Sequence, residues 1–228
     1  MTPKWEKIPE GMRNEFVKKY FNIVKKKKIF FIIKRVLDII FSSALMLLLA
    51  PIVFLAVIAI KTDSKGKVFF KQKRITQYGK IFYIIKLRTM VLDSEKFGLL
   101  TNRNDLRVTK VGKFLRKFRI DEFPQLINVF AGDMTLVGTR PEVIKYVKKY
   151  TSEMASTLLL PAGVTSLASV EFKNESIFLK DKNYDEIYVN EILPKKMEYN
   201  LGYLKKLSLI EDLKIIVLTF LKIVKILD

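Results

Sequence analysis

Apolar residues are spread unevenly along this chain, and the longest apolar run sets the frame for everything else. From Ile39 to Ile60 the stretch IIFSSALMLLLAPIVFLAVIAI carries no charge, and about 20 such residues cross the hydrocarbon core of a bilayer. The run begins too far into the chain, and has no small-residue cleavage site behind it, to be a removable signal peptide. Pro51 lies at its centre, where it deletes one helical hydrogen bond and bends the axis. Both flanks are basic: Lys25 to Lys28, Lys34 and Arg35 lead in, and Lys61, Lys65, Lys67, Lys71, Lys73 and Arg74 follow. A spanning helix carries its basic excess on one side, so two basic ends favour one face of the bilayer. A re-entrant hairpin bent at Ala50 and Pro51 satisfies both ends. A straight anchor with a proline kink is the alternative, because membrane helices tolerate proline.

The remaining pattern predicts shorter elements. Glu15 to Arg35 reads as a basic helix interrupted at Lys25 to Lys28. Such a run beside a membrane segment grips anionic lipid headgroups at about 1 kcal/mol per cation, or is simply solvated. Val68 to Arg74 and Lys80 to Met90 are rich in β-formers, and the turn around Gly79 makes a short hairpin of them. Val111 to Arg119 sets Phe114, Leu115 and Phe118 at helical spacing among cations. A second helix is predicted from Asp121, with Glu122 and Pro124 in its first turn, Leu126, Ile127 and Phe130 on its buried face and Gly132 just past its end. Leu209 to Leu227 gathers Lys214, Lys222 and Lys225 near one stripe, which suits either an interfacial amphipathic helix or a core helix with a solvent edge. The fold class that results is α+β: a membrane-embedded re-entrant helix, a mostly helical cytosolic domain with a small β-hairpin, and interfacial helices. The divisions fall at 1–33, 34–61, 62–208 and 209–228.

Composition narrows the chemistry. The 228 residues include no Cys and no His, which removes thiolate and imidazole metal sites and every nucleophile activated by those groups. Carboxylates, cations, hydroxyls and an oxygen-seeking metal ion are what remains. The net charge of +19 calls for an anionic partner: nucleic acid, an acidic membrane face or a phosphorylated substrate. Asp121 and Glu122 form an acid pair with cations on both sides. Asp121 reads either as a plain helix cap or as a reactive carboxylate, because a helix start also presents backbone N–H groups to phosphate. Lys86 and Arg88, two apart in a strand, project from one face and read as a diphosphate clamp or as a solvated surface.

The order of the motifs separates these readings. The Lys34-Arg35-x-x-Asp38 lead, the proline-broken apolar run, the Lys86 to Met90 strand, Asp121-Glu122, Gly132-Asp133-Met134 and Arg140-Pro141 together resemble the bacterial sugar transferase family. These are the monotopic phosphoglycosyl transferases that begin surface-polysaccharide and glycoconjugate assembly. The resemblance runs from about Lys34 to Val224 and is to the small members, without an extra membrane-spanning region. It implies transfer of a sugar-1-phosphate from a UDP-sugar to a polyprenol phosphate such as undecaprenyl phosphate, at the cytosolic face of the bacterial cytoplasmic membrane.

It further implies that Asp121 is the nucleophile and a ligand of Mg²⁺, that Glu122 assists with metal or proton, and that Lys86, Arg88, Arg119 and Arg140 hold phosphates. A carboxylate ionised at neutral pH needs no general base. The chain departs from the family pattern in four places. Ala50 stands where a serine usually precedes the hairpin proline, Thr139 opens the motif that usually reads Pro-Arg-Pro, and Pro161, Gly163, Thr165, Ser166 and Leu167 fall where many members show Arg-Pro-Gly-Ile-Thr-Gly-Trp. Asn200 stands where an acid is frequent. These departures bear on the sugar more than on the reaction. The rivals are a non-catalytic assembly scaffold, which would have no use for Asp121-Glu122, and a nucleic-acid binder, for which no aromatic-basic module is present. Neither the donor sugar nor a homodimer is decided by sequence.

Overall fold

A computed structural model describes residues 4–94, 105–172 and 184–224. The elements run α1 (Glu15–Val24), α2 (Lys28–Asp63), β1 (Phe69–Ile75), β2 (Ile81–Leu87), α3 (Lys110–Lys117), α4 (Gln125–Ala131), β3 (Met134–Val137), α5 (Ile144–Val147), β4 (Ala162–Thr165), α6 (Leu167–Glu171), α7 (Tyr184–Ile187), α8 (Leu193–Lys205) and α9 (Leu209–Val224). Two small two-stranded sheets, β1 with β2 antiparallel and β3 with β4 parallel, sit among the helices.

The basic helix of the N-terminal region forms as α1 and breaks at Lys25–Lys27 into a 3-10 turn. Asn14 caps it by accepting from the Val17 amide at 3.0 Å. Val17, Tyr20, Phe21 and Val24, at helical spacing, are buried against Leu159, Leu204 and Leu207, while Lys18, Lys19 and Lys25 to Lys28 stay exposed.

Helix α2 takes in the whole apolar run and continues through Pro51 for 36 residues, about 54 Å at 1.5 Å per residue. By length and composition it is able to cross a membrane. Between Ile39 and Leu55 only Ser42 is buried, and Leu47, Leu48, Phe54 and Leu55 are exposed. Both ends, in contrast, are gripped by the same domain. Near the start, Arg35 donates to the Val129 and Phe130 carbonyls at 2.6 and 2.8 Å and so covers the end of α4. Asp38 accepts from the Thr135 hydroxyl and the Leu136 amide, and Lys34 pairs with Asp212 of α9 at 2.5 Å. Near the finish, Ala56 and Ile60 pack with Val68, Leu87 and Leu115, and Asp63 accepts from the Val111 amide at 3.1 Å.

Several expectations are corrected here. The helix predicted from Asp121 starts four residues later: Ile120–Glu122 is a separate 3-10 turn, and α4 begins at Gln125 behind Pro124, whose ring fixes the chain but supplies no N–H. Asp121 therefore is not the cap of α4. Gly132 ends that helix as expected, with φ 91°. Ile127 and Phe130 do not share its buried face; Leu126, Asn128 and Val129 point inward, leaving those two half exposed on the outer side. Helix α9 buries Asp212 and Ile215 and exposes Ile210, Leu213, Val217 and Phe220, so it is not a core helix. Lys225 to Leu227 lie outside the described residues. Asn200 is buried beside Met197, with the amide 3.7 Å from the sulfur.

The parallel pair β3–β4 escapes the sequence reading. It depends on close backbone approach: a Cβ on Gly163, inside β4, would lie 2.2 Å from the nitrogen of Gly138 just past β3, so glycine is required there. The nonstandard stretch from Pro161 to Leu167 thereby supplies β4 and then α6, which Ser166 caps by accepting from the Ser169 amide.

Candidate active site

The acid pair is held at the end of a tight reversal. Helix α3, capped by Thr109 through the Gly112 amide, stops at Phe118, and Arg119 takes a left-handed conformation with φ 56°. Such a conformation is uncommon for a residue with a Cβ and costs about 1–3 kcal/mol. It turns the chain straight into the 3-10 turn that carries Asp121 and Glu122 inward.

The hairpin supplies the facing wall. Its register pairs Phe70 with Lys86, Gln72 with Ile84 and Arg74 with Phe82, so Gln72, Arg74 and Lys86 share the inward face. Glu122 then receives three cations. One of its oxygens accepts from Arg140 at 2.7 Å and Lys86 at 3.3 Å, and the other from Arg119 at 3.2 Å. Burial alone would push the Glu122 carboxyl up, but Arg140, Lys86 and Arg119 outweigh it and hold the group well below the ordinary range. Asp121 goes the other way. Burial and the neighbouring Glu122 charge raise it, against the pull of Lys86, Arg116 and Arg119. The two adjacent acids thus sit in opposite electrostatic environments.

Of the residues singled out from sequence, Lys86, Arg119, Arg140, Asp121 and Glu122 come together. Arg88 does not join them. The chain leaves the β-ladder after Leu87, and the Arg88 guanidinium reaches the end of α2, donating to the Ser64 carbonyl at 2.7 Å, the Ser64 hydroxyl at 2.9 Å and the Lys65 carbonyl at 2.6 Å. Two further cations were not anticipated. Arg116 donates to the Thr89 hydroxyl at 2.8 Å and feels the Asp121 charge. Arg74 donates to the Gln72 amide oxygen at 3.0 and 2.6 Å and to the Pro141 carbonyl at 3.1 Å. Strand alternation gives Arg74 away once the register is known, since it lies on the Lys86 face.

Among the described residues there is no group of three acids able to enclose a metal ion. The donor set still fits Mg²⁺, which is usually held by one or two carboxylates together with substrate phosphates and water. Both Glu122 oxygens are taken by cations, so Asp121 is the carboxylate suited to that part.

A model of the bacterial sugar transferase family matches residues 29–226. A UDP-glucose:undecaprenyl-phosphate glucose-1-phosphate transferase of Klebsiella pneumoniae is 38% identical over 196 residues, covering 84% of this chain and 40% of the relative. The protein of the same name from Caulobacter vibrioides is 36% identical over 193 residues, covering 82% of this chain and 67% of that one. A UDP-N-acetylgalactosamine-undecaprenyl-phosphate N-acetylgalactosaminephosphotransferase of Aeromonas hydrophila is 33% identical over 192 residues, covering 82% and 43%. The chain thus spans less than half the length of two of these three relatives.

Proposed function

The chain belongs to the bacterial sugar transferase family, and on that footing we propose that it transfers a sugar-1-phosphate from a UDP-sugar to a polyprenol phosphate, undecaprenyl phosphate in bacteria. The observation that carries the reading is the inward-held Asp121-Glu122 pair inside a ring of cations, Lys86, Arg119 and Arg140. In the first half-reaction an Asp121 carboxylate oxygen attacks the phosphorus that bears the sugar. The bond from that phosphorus to the bridging oxygen breaks, UMP leaves with the electron pair, and an acyl phosphate joins Asp121 to the phosphosugar. In the second, an oxygen of the lipid phosphate attacks the same phosphorus and Asp121 departs as a carboxylate. No thiol, imidazole or strong base is needed at either step.

Lys86, Arg119 and Arg140 keep Glu122 ionised and are the cations available to the donor diphosphate, since phosphoryl transfer depends mostly on positioning and charge stabilisation. Mg²⁺, held by Asp121 and the donor's phosphates, would withdraw charge from the diphosphate. The relatives' names mention both glucose and N-acetylgalactosamine.

The membrane helix fits the same reading. One domain holds α2 at Asp38, through Thr135 and Leu136, and again at Ile60, which supports both ends lying on one face of the bilayer. We propose that α2 dips into the bilayer and returns, with Pro51 at the free stretch. Ala50 directly precedes that proline; two turns earlier Ser42 and Ser43 bond back to the Ile39 carbonyl at 3.2 and 2.8 Å, a pattern that often bends helices. The exposed lysines of α1 and Lys25 to Lys28 would then meet anionic headgroups of the cytoplasmic leaflet at about 1 kcal/mol each. The apolar outer face of α9 would lie beside them in the interface.

The experiment is to incubate the detergent-solubilised protein and Mg²⁺ with a panel of UDP-sugars, following UMP release and the mass of the intact chain. A phosphosugar adduct mapped to Asp121, and no turnover by Asp121→Asn, are expected. Turnover by Asp121→Asn rejects the nucleophile.

A further inference from the structure

Behind the acid pair lies a second buried carboxylate that the reaction does not use. Glu142 follows the Arg140-Pro141 motif, and its side chain accepts from the Tyr188 hydroxyl at 2.6 Å and the Lys196 ammonium at 3.2 Å, which are themselves 2.9 Å apart. All three residues are buried. The local geometry of the helix explains their convergence. Tyr188–Ile192 is a π turn between α7 and α8. In a regular helix of about 100° per residue, eight steps would leave Tyr188 and Lys196 about 80° apart; one extra residue in a wide turn cuts that offset to about 20°. The π turn therefore puts both donors on the face that meets Glu142.

The other side of Glu142 faces the hairpin. Its carbonyl accepts from the Ile75 amide at 3.0 Å, and the carbonyl of the preceding Pro141 accepts from Arg74. The Arg74 guanidinium thus bonds to the backbone between Arg140 and Glu142 and, among the described residues, to no carboxylate directly, while lying near enough to feel the charges of both Glu142 and Glu122. Gln72 closes the guanidinium fork from within the same strand. The segment that carries Arg140 is thus sewn in front to Glu122, at its side to Arg74 and behind to α8.

We propose that Glu142, clamped by Tyr188 and Lys196 through the π turn, is a positioning residue that fixes Arg74 and the Arg140-Pro141 segment so that the cation ring is set for a nucleoside diphosphate. The inference rests on the donor reading above. Arg74 acts by holding charge and backbone in place, and Glu142 acts through the backbone it shares with Pro141, which Arg74 and the Ile75 amide grip from the hairpin side.

UDP serves as the diphosphate probe, titrated into the detergent-solubilised full chain with Mg²⁺. Glu142→Gln and Arg74→Gln should each weaken UDP about tenfold, the scale of one lost charge-assisted hydrogen bond. The double variant should be no weaker than the weaker single, because each removes what the other needs. Lys196→Arg should retain UDP affinity while Lys196→Met loses it, a rescue that a purely structural role does not require. Tyr188→Phe keeps the ring against Tyr146 and should lose affinity while still folding, at the cost of the hydroxyl's hydrogen bonds, so the test survives if Glu142→Gln fails to fold. Parental affinity in both Glu142→Gln and Tyr188→Phe, or additive losses at Arg74 and Glu142, would overturn the proposal. A parent chain that does not bind UDP overturns the donor reading itself and this inference with it.

Discussion

Replacing Glu122 by glutamine keeps the side-chain shape and deletes the one negative charge on which three cations converge. The Glu122 side chain is 12% exposed, and its partners Lys86, Arg140 and Arg119 are 19%, 29% and 31% exposed. The cost must therefore fall between that of an exposed pair, about 0.2–1 kcal/mol, and that of a buried pair broken on one side, about 3–5 kcal/mol. Arg140 and Lys86 share one oxygen and repel each other, so their contributions do not add in full. A net loss of about 2 kcal/mol follows. In a domain of this size each kcal/mol moves the melting temperature by about 2–4 °C, so the variant should melt about 4–8 °C below the parent in the same detergent. The cations left behind then form a stronger anion site. UDP should raise the melting temperature of the variant more than that of the parent, since the diphosphate replaces the missing charge. Equal melting temperatures, or an equal UDP effect on both proteins, would refute the electrostatic account of the site.

Arg88→Lys loses the fork that covers the end of α2 and should cost about 2 kcal/mol in thermal unfolding, with donor KM unchanged; a raised KM at parental stability would return Arg88 to the phosphates. Burial raises the Glu142 carboxyl, but Lys196 and Arg74 outweigh it and hold the group below its ordinary value. Its stabilisation is accordingly complete above the unfolded value of about 4.3 and is lost as pH falls through the lower folded value. Glu142→Gln should flatten the acid limb of the stability curve, and an unchanged limb would place the acid sensitivity elsewhere. Because the chain has no cysteine, single cysteines at Lys26 and Lys65 can be labelled cleanly in sealed vesicles. A re-entrant α2 gives both the same accessibility, whereas opposite accessibility would restore the straight anchor.

How much of this was legible depended on whether the signal was local. The apolar run, the break at Lys25 to Lys28, the β1–β2 hairpin and the Gly132 terminus are written in neighbouring residues, and each forms near its expected place. Asp121, Glu122, Lys86 and Arg140 were singled out by the order of their motifs along the chain and Arg119 as a cation flanking the acids, and the structure brings all five side by side. The turn holding the acids was misread as a helix start because Pro124 suits a first turn, and nothing local reports the left-handed Arg119. Arg88 was misplaced because two residues in a strand share a face only while the ladder lasts, and it ends at Leu87. The Glu142, Tyr188 and Lys196 cluster was out of reach, since an extra residue in a helical turn leaves no mark in the hydrophobic pattern.

The grip on both ends of α2 has a practical corollary. Val68, Leu87 and Leu115 lean on Ala56 and Ile60, while Thr135 and Leu136 lean on Asp38. The apolar helix is a wall of the building rather than a mooring rope. A chain trimmed to begin after Asp63 to gain solubility would uncover that packing and leave Thr135, Leu136 and Asp212 without their counterparts, so water-soluble versions are better sought by repainting the outward faces of Leu47, Leu48, Phe54 and Leu55.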